Sequence, residues 1–244
     1  MATNLYLIRH GQAISSIEGS LENTRLSSLG VKQAERLRDR LAATREIQAD
    51  VLISSTMHRA RHTAEIIAPA LGLPVTYNEE VEEWRDGDYQ DMDQNARLTI
   101  FKTTPIAEWP YIRIAPNAET WVEFNLRMGT ALTRIAERYD GKTIVIVCHG
   151  GIIDGSFQLF FGLSTLQFPR ASLGGTKNTS ITHWRRDESE EYGIPPTWYL
   201  EQYNDIMHLR DLNTSVRIPW QEISVRSVKE KDKPELPTDS EERK

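Results

Sequence analysis

Apolar positions recur along this chain in two rhythms, and the alternation between them outlines the fold. Residues 4–8 (NLYLI) form a short run that is apolar on both faces of an extended chain, as the centre of a parallel sheet requires. In LSSLGVKQAERLRDRLAA (26–43), Val31, Ala34, Leu37 and Leu41 fall at helical spacing, with Ser27 or Ser28 placed to cap the first turn. ADVLISS (49–55) predicts a second strand, and RARHTAEIIAPAL (59–71) a helix that Gly72 and Pro74 end. A third strand is expected near 74–77. The clearest strand is KTIVIVCHGG (142–151), with a long helix across about 118–139 before it and a helix from about 152 after it. NTSITHW (178–184) and TWYLEQYN (197–204) are two further strands. Strands and helices alternating at these lengths predict an α/β protein: a three-layer αβα sandwich around a mainly parallel central sheet.

The stretch from about 84 to 117 breaks that rhythm. It is rich in Asp, Pro and aromatic residues (WRDGDYQDMDQ, TTPIAEWPYIRIAPNAE), offers at most one short helix, and reads as an irregular lid inserted in the fold. No internal repeat and no linker divides the chain, so residues 1–228 are expected to form a single domain. The charged tail KEKDKPELPTDSEERK (229–244) has almost no large apolar side chains and is expected to be disordered.

Composition narrows the partners. The 244 residues are 39% hydrophobic and 26% charged, ordinary for a globular protein, and the net charge of −6 disfavours nucleic acid or an anionic membrane. No apolar run approaches the ~20 residues of a membrane span, and the N-terminus has no basic-then-apolar leader, so a cytoplasmic location is expected. The single Cys148 excludes an internal disulfide and a thiolate-rich metal site.

Ligands of open parallel sheets bind beyond the C-terminal ends of the strands. Three strands here end in reactive groups: Arg9, His10 and Gly11 after the first, Arg59 in the opening turn after the second, and His149, Gly150 and Gly151 after the long one. Two arginines and two imidazoles on one edge suit a dianion, most simply a phosphate, and Gly11 and Gly150 let backbone approach it closely.

Other readings of single motifs are weaker. His58 and His62 have the i, i+4 spacing of a metal pair, but Arg59 stands where zinc proteases of that type have Glu, and no third ligand is evident, so no metal is expected. A cysteine phosphatase loop around Cys148 needs an arginine six residues on, where this chain has Asp154. LGGTKNTS (173–180) lacks P-loop spacing and reads as a turn between strands.

Over residues 4 to about 210, the chain resembles the histidine phosphatase (phosphoglycerate mutase-like) superfamily. The resemblance rests on Arg9-His10-Gly11, on Leu26 to Ala34, on Ser55 through Arg59-Ala60-Arg61-His62-Thr63-Ala64, on Val81 to Gly87, on His149, and on Asn204-Asp205-Ile206-Met207-His208-Leu209. It implies that His10 attacks phosphorus to give a phosphohistidine, and that Arg9, Arg59 and His149 hold the phosphate oxygens. Glu83 would be the general acid and base, chosen from Glu79, Glu80, Glu82 and Glu83 because Gly87 follows it by four residues.

Recognition of the rest of a small phosphorylated metabolite is expected from the lid, through Trp84, Arg85, Trp109, Tyr111 and Arg113. Glu119 is either a substrate contact or a helix cap. The His149-Gly150-Gly151 sequence favours hydrolysis over mutase chemistry, which would call for 2,3-bisphosphoglycerate as cofactor; a phosphatase needs none. A phosphoprotein phosphatase or a non-catalytic interaction module is the remaining class.

Overall fold

A computed structural model describes residues 1–18, 23–89, 92–167, 175–187 and 196–212. The tail assignment at 229–244 lies outside the described residues. The architecture is the expected αβα sandwich. Its six strands are β1 (Thr3–Arg9), β2 (Val51–Ser54), β3 (Val75–Tyr77), β4 (Thr143–Cys148), β5 (Ile181–Arg186) and β6 (Trp198–Asp205). They lie in the order β3-β2-β4-β1-β5-β6. The first four are mutually parallel, whereas β5 pairs antiparallel with both β1 and β6.

Helices cover both faces. On one, α2 (Ser28–Thr44) and α3 (His58–Leu71) lie over Ile8, Leu52, Val145 and Val147. On the other, α5 (Trp121–Arg138) and α6 (Gly150–Phe160) lie over Leu5, Leu7, Ile144, Ile146 and Trp184. Both layers of each buried strand are therefore apolar, which is why these strands read as continuous apolar runs. Sequence periodicity did not reveal α1 (Ile14–Glu18), a five-residue helix too short to show a stripe. The segment after Glu83 holds α4 (Gln94–Thr103) and a 3-10 turn at Trp109–Tyr111. Among the described residues no helix is long and apolar enough to cross a membrane.

Register decides what meets at the C-terminal edge. Arg9 pairs with Cys148 and Ser54 with Val147, so β1, β2 and β4 end level. The level edge continues one residue further, through His10 N–H to the Cys148 carbonyl (3.0 Å) and Ser55 N–H to the Val147 carbonyl (2.9 Å). Alternation along β1 then separates its last two side chains. Leu5 and Leu7 face the α5/α6 layer and Ile8 faces the α2/α3 layer, so Arg9 leaves towards α6 and His10 towards α3.

Candidate active site

His10 is buried and held through both ring nitrogens. Its Nδ1 lies 2.6 Å from the Gly11 carbonyl, which can only accept, so Nδ1 carries the proton. Its Nε2 accepts from Arg59 Nε at 3.1 Å. The lone pair on Nε2 is thus held toward the Arg59 guanidinium. Burial, then the charges of Arg59 and Arg9, hold this imidazole well below its ordinary pKa and keep it neutral.

His149 sits beside it, with ring centroids 5.1 Å apart. Its Nε2 is 2.8 Å from the Ser55 hydroxyl, which also accepts from Met57 N–H at 3.2 Å. Burial, then Arg59, lowers its pKa as well. Arg9 donates from Nη1 to the Thr176 carbonyl. Arg9 Nε and His149 Nδ1 are buried without a hydrogen-bond partner among the described residues. Two such polar atoms on one sheet edge, with two guanidinium charges, suit an oxyanion.

The neighbouring turns are fastened by the residues that carry the resemblance. Gly11 N–H donates to Thr63 Oγ1 (3.0 Å), and that hydroxyl donates to the Arg59 carbonyl (2.8 Å), tying α3 to the end of β1. Ser27 caps α2 by accepting from Gly30 N–H at 3.1 Å, and its hydroxyl donates to Gln12 Oε1 at 2.8 Å. Gln33 accepts from Gln12 N–H at 2.9 Å. Gly30 is required by close approach, since a Cβ there would lie 2.0 Å from the Gln12 carbonyl oxygen.

The geometry separates the four clustered glutamates. Glu80 pairs with Arg134 at 2.9 Å, and Glu82 accepts from Thr56 and pairs with Arg85 at 3.1 Å. Glu79 is exposed at the start of a 3-10 turn. Glu83 alone turns to the sheet edge: its carboxylate accepts from Gly151 N–H (3.1 Å), in the first turn of α6, and from Trp84 N–H (3.0 Å). Burial lowers the Arg9 and Arg59 guanidinium pKa values, and the nearby Glu83 carboxylate offsets part of that shift. A Cβ on Gly151 would fall 2.1 Å from Glu83 Oε1, so glycine there makes room for the carboxylate.

The chain matches the family model described as histidine phosphatase superfamily (branch 1) over residues 5–193. It belongs to that superfamily. Among curated relatives, it is 27% identical over 223 residues to phosphoglycerate mutase-like protein 4 of Arabidopsis thaliana, covering 85% of this chain and 87% of the relative. It is 26% identical over 216 residues to the "Probable phosphoglycerate mutase GpmB" of Citrobacter koseri, covering 84% and 94%. Among solved structures, YhfR of Bacillus stearothermophilus is similar at 27% identity and a TM-score of 0.65, with 85% of this chain and 99% of that one covered. A mycobacterial glucosyl-3-phosphoglycerate phosphatase shares the fold at 23% identity and a TM-score of 0.65, covering 82% and 98%.

The residues named from the sequence, Arg9, His10, Arg59, Glu83 and His149, thus lie together at the sheet edge, with Gly11 and Gly150 beside them. The five side chains named from the 84–117 segment have other contacts. Trp84 packs edge-on against Trp121 (5.6 Å between centroids) and donates from Nε1 to the Glu119 carbonyl at 2.9 Å. Arg85 is paired with Glu82, and Arg113 donates to the Ala118 carbonyl and pairs with Glu123. Trp109 donates to the Thr104 carbonyl (3.0 Å), and exposed Tyr111 to the Leu166 carbonyl (3.2 Å). The cap of α5 is Thr120 in a capping box with Glu123, while Glu119 pairs with Arg127.

Sequence reasoning missed several groups around this edge. Asn178 Nδ2 donates to the His10 carbonyl (2.9 Å) and Thr179 N–H to the Arg9 carbonyl (2.9 Å), bracketing the two residues from the far side. Thr179 is held in turn by His208, 3.0 Å from its hydroxyl, and Asp205 by Arg40. That is the structural work of the Asn204 to Leu209 segment. Asp154, one turn into α6, has its pKa pushed up to about 6 by burial, reinforced by Glu83. Burial also raises the Cys148 thiol, keeping it protonated inside the strand layer.

Proposed function

We propose that this chain is a metal-independent phosphatase, hydrolysing a phosphate monoester through a phosphohistidine on His10. The observation that carries the reading is the forced tautomer of His10, whose unprotonated Nε2 accepts from buried Arg59 at the end of β1. In the first step, Nε2 attacks phosphorus in line, an N–P bond forms, and the P–O bond to the alcohol breaks. The Arg59 guanidinium turns from Nε2 to a phosphate oxygen as this happens. Arg9 Nε and His149 supply the other contacts, and the helix dipole at Gly150 adds to them. The arginines deliver the positive charge that a metal would otherwise supply.

Glu83 gives its proton to the departing alkoxide, which leaves as the alcohol. Negative charge on a bound phosphate favours the protonated form of a carboxyl beside it. In the second step Glu83 takes a proton from water, whose oxygen attacks phosphorus. The N–P bond breaks, and phosphate and neutral His10 result. The 84–117 segment would recognise the alcohol portion, with Arg85 and Arg113 keeping their present carboxylate partners.

The names of the phosphoglycerate mutase-like relatives favour a second reading, in which the phosphoryl group passes to another hydroxyl rather than to water. Phosphorus NMR on a panel of monoesters with EDTA, including 3-phosphoglycerate primed with 2,3-bisphosphoglycerate, separates the two. Released phosphate that requires His10 is the expected result. Conversion to 2-phosphoglycerate with little free phosphate would make the chain a mutase.

A further inference from the structure

Glu83 is borne on a turn with no strand pairing of its own, yet its carboxylate has to meet a leaving oxygen accurately. We propose that Arg127, with Glu119, is the positioning residue that fixes this turn and so places the general acid. The inference rests on the phosphatase reading above and concerns how its acid is held.

Arg127 lies on α5 with only 12% of its side chain exposed. Its five N–H donors are all used. Nε and Nη2 grip the two carboxylate oxygens of Glu119, each at 2.6 Å. Nη1 donates to the carbonyls of Glu80 (2.8 Å) and Glu82 (3.0 Å), and Nη2 donates its second proton to the carbonyl of Glu83 (3.1 Å). One guanidinium thus collects three carbonyls of the acid-bearing turn. Glu119 completes the fastening from its own side: it accepts from Arg85 N–H at 3.0 Å, and its backbone N–H donates to the Arg85 carbonyl at 2.8 Å. The guanidinium reaches no carboxylate oxygen of Glu83, so its effect on the reaction passes through the backbone.

The planar five-donor fork matters here, because an ammonium has three donors and cannot keep a bidentate grip on Glu119 while holding three carbonyls. An error of about 1 Å in a reacting group costs on the order of 10²-fold in rate. A loosened turn should therefore damage the step that needs the acid and spare the step that does not.

Leaving-group chemistry separates those steps. With 4-nitrophenyl phosphate the departing phenolate needs no proton, whereas an alkyl phosphate does, and kcat/KM reports only the steps through phosphoenzyme formation. Glu83→Gln sets the reference pattern. Arg127→Lys is expected to lower kcat/KM for the alkyl ester by roughly 50-fold and for the aryl ester by less than about threefold. Glu119→Gln, which keeps the shape of the pair, should shift the ratio in the same direction by a smaller factor and covers the case in which the lysine variant fails to fold. Parallel losses on both esters, or no loss on either, would overturn the inference and leave Arg127 a structural residue. Wild-type protein that releases no phosphate from any ester in a His10-dependent way would instead remove the phosphatase reading itself.

Discussion

At the sheet edge, Arg9 Nε and His149 Nδ1 are buried without partners among the described residues; in the 84–117 segment, the charged side chains named as substrate contacts, Arg85 and Arg113, are paired with Glu82 and Glu123. The difference follows from how each region is held. Strand ends are placed by the ladder behind them, so their side chains keep polar groups, Arg9 Nε and His149 Nδ1, free for chemistry even as Arg9 and His10 also bond backbone carbonyls. A segment with little ladder must satisfy its own backbone through side chains, and Arg113 and Trp109 do so by donating to the carbonyls of Ala118 and Thr104. Glu83 stands between these cases, on an irregular turn fastened from outside by α5.

The strongest break in this comparison is Gly151→Ala. The new methyl would lie 2.1 Å from Glu83 Oε1, the movable end of a side chain, and 3.1 Å from the Phe124 ring, so the acid is displaced while the ring has to give only a few tenths of an ångström. The expected result is a loss of about 100-fold in kcat/KM on an alkyl ester with little change in melting temperature. Full activity would mean that Glu83 is not the acid.

Next in size is the pH dependence of stability. His10 is neutral when buried, its folded pKa lying well below the unfolded value of 6.5. The unfolded chain therefore binds the extra proton as pH falls through 6.5, and stability drops in that window. Between about pH 7.5 and 5.5 one such imidazole removes ~1.4 kcal/mol. His10→Gln should make the acid-side decline in urea unfolding shallower by that amount; an unchanged slope would mean His10 titrates normally.

The smallest effect sharpens the other half of the comparison. Arg113→Ala removes an exposed ion pair and a hydrogen bond to the Ala118 carbonyl and should alter stability by about 1 kcal/mol and kcat/KM by less than about twofold. A tenfold loss would show that Arg113 leaves Glu123 for the substrate.

The strand-end residues were legible in the sequence because a strand's last side chains need only local pattern to be placed. Arg9, His10, Arg59 and His149 could be named from apolar runs followed by reactive groups. The supports were not legible, because each joins distant segments: Arg127 reaches carbonyls 44 to 47 residues away, and Asn178 reaches His10 across 168. LGGTKNTS read as a plain turn, yet its Asn178 and Thr179 hold the backbone of Arg9 and His10. In the 84–117 segment residue types were visible and their partners were not. Trp84 has the chemistry of a ring-binding surface, but its place against Trp121 and Phe124 depends on how α5 lies.

The most direct test of the central claim is to trap the phosphoenzyme. The protein is mixed with a 32P-labelled ester that it hydrolyses, quenched in alkali within milliseconds, and mapped by peptide. The expected result is an alkali-stable, acid-labile label on His10, formed at least as fast as turnover and absent from His10→Ala. Turnover without that label, or a label on any other residue, would contradict the account.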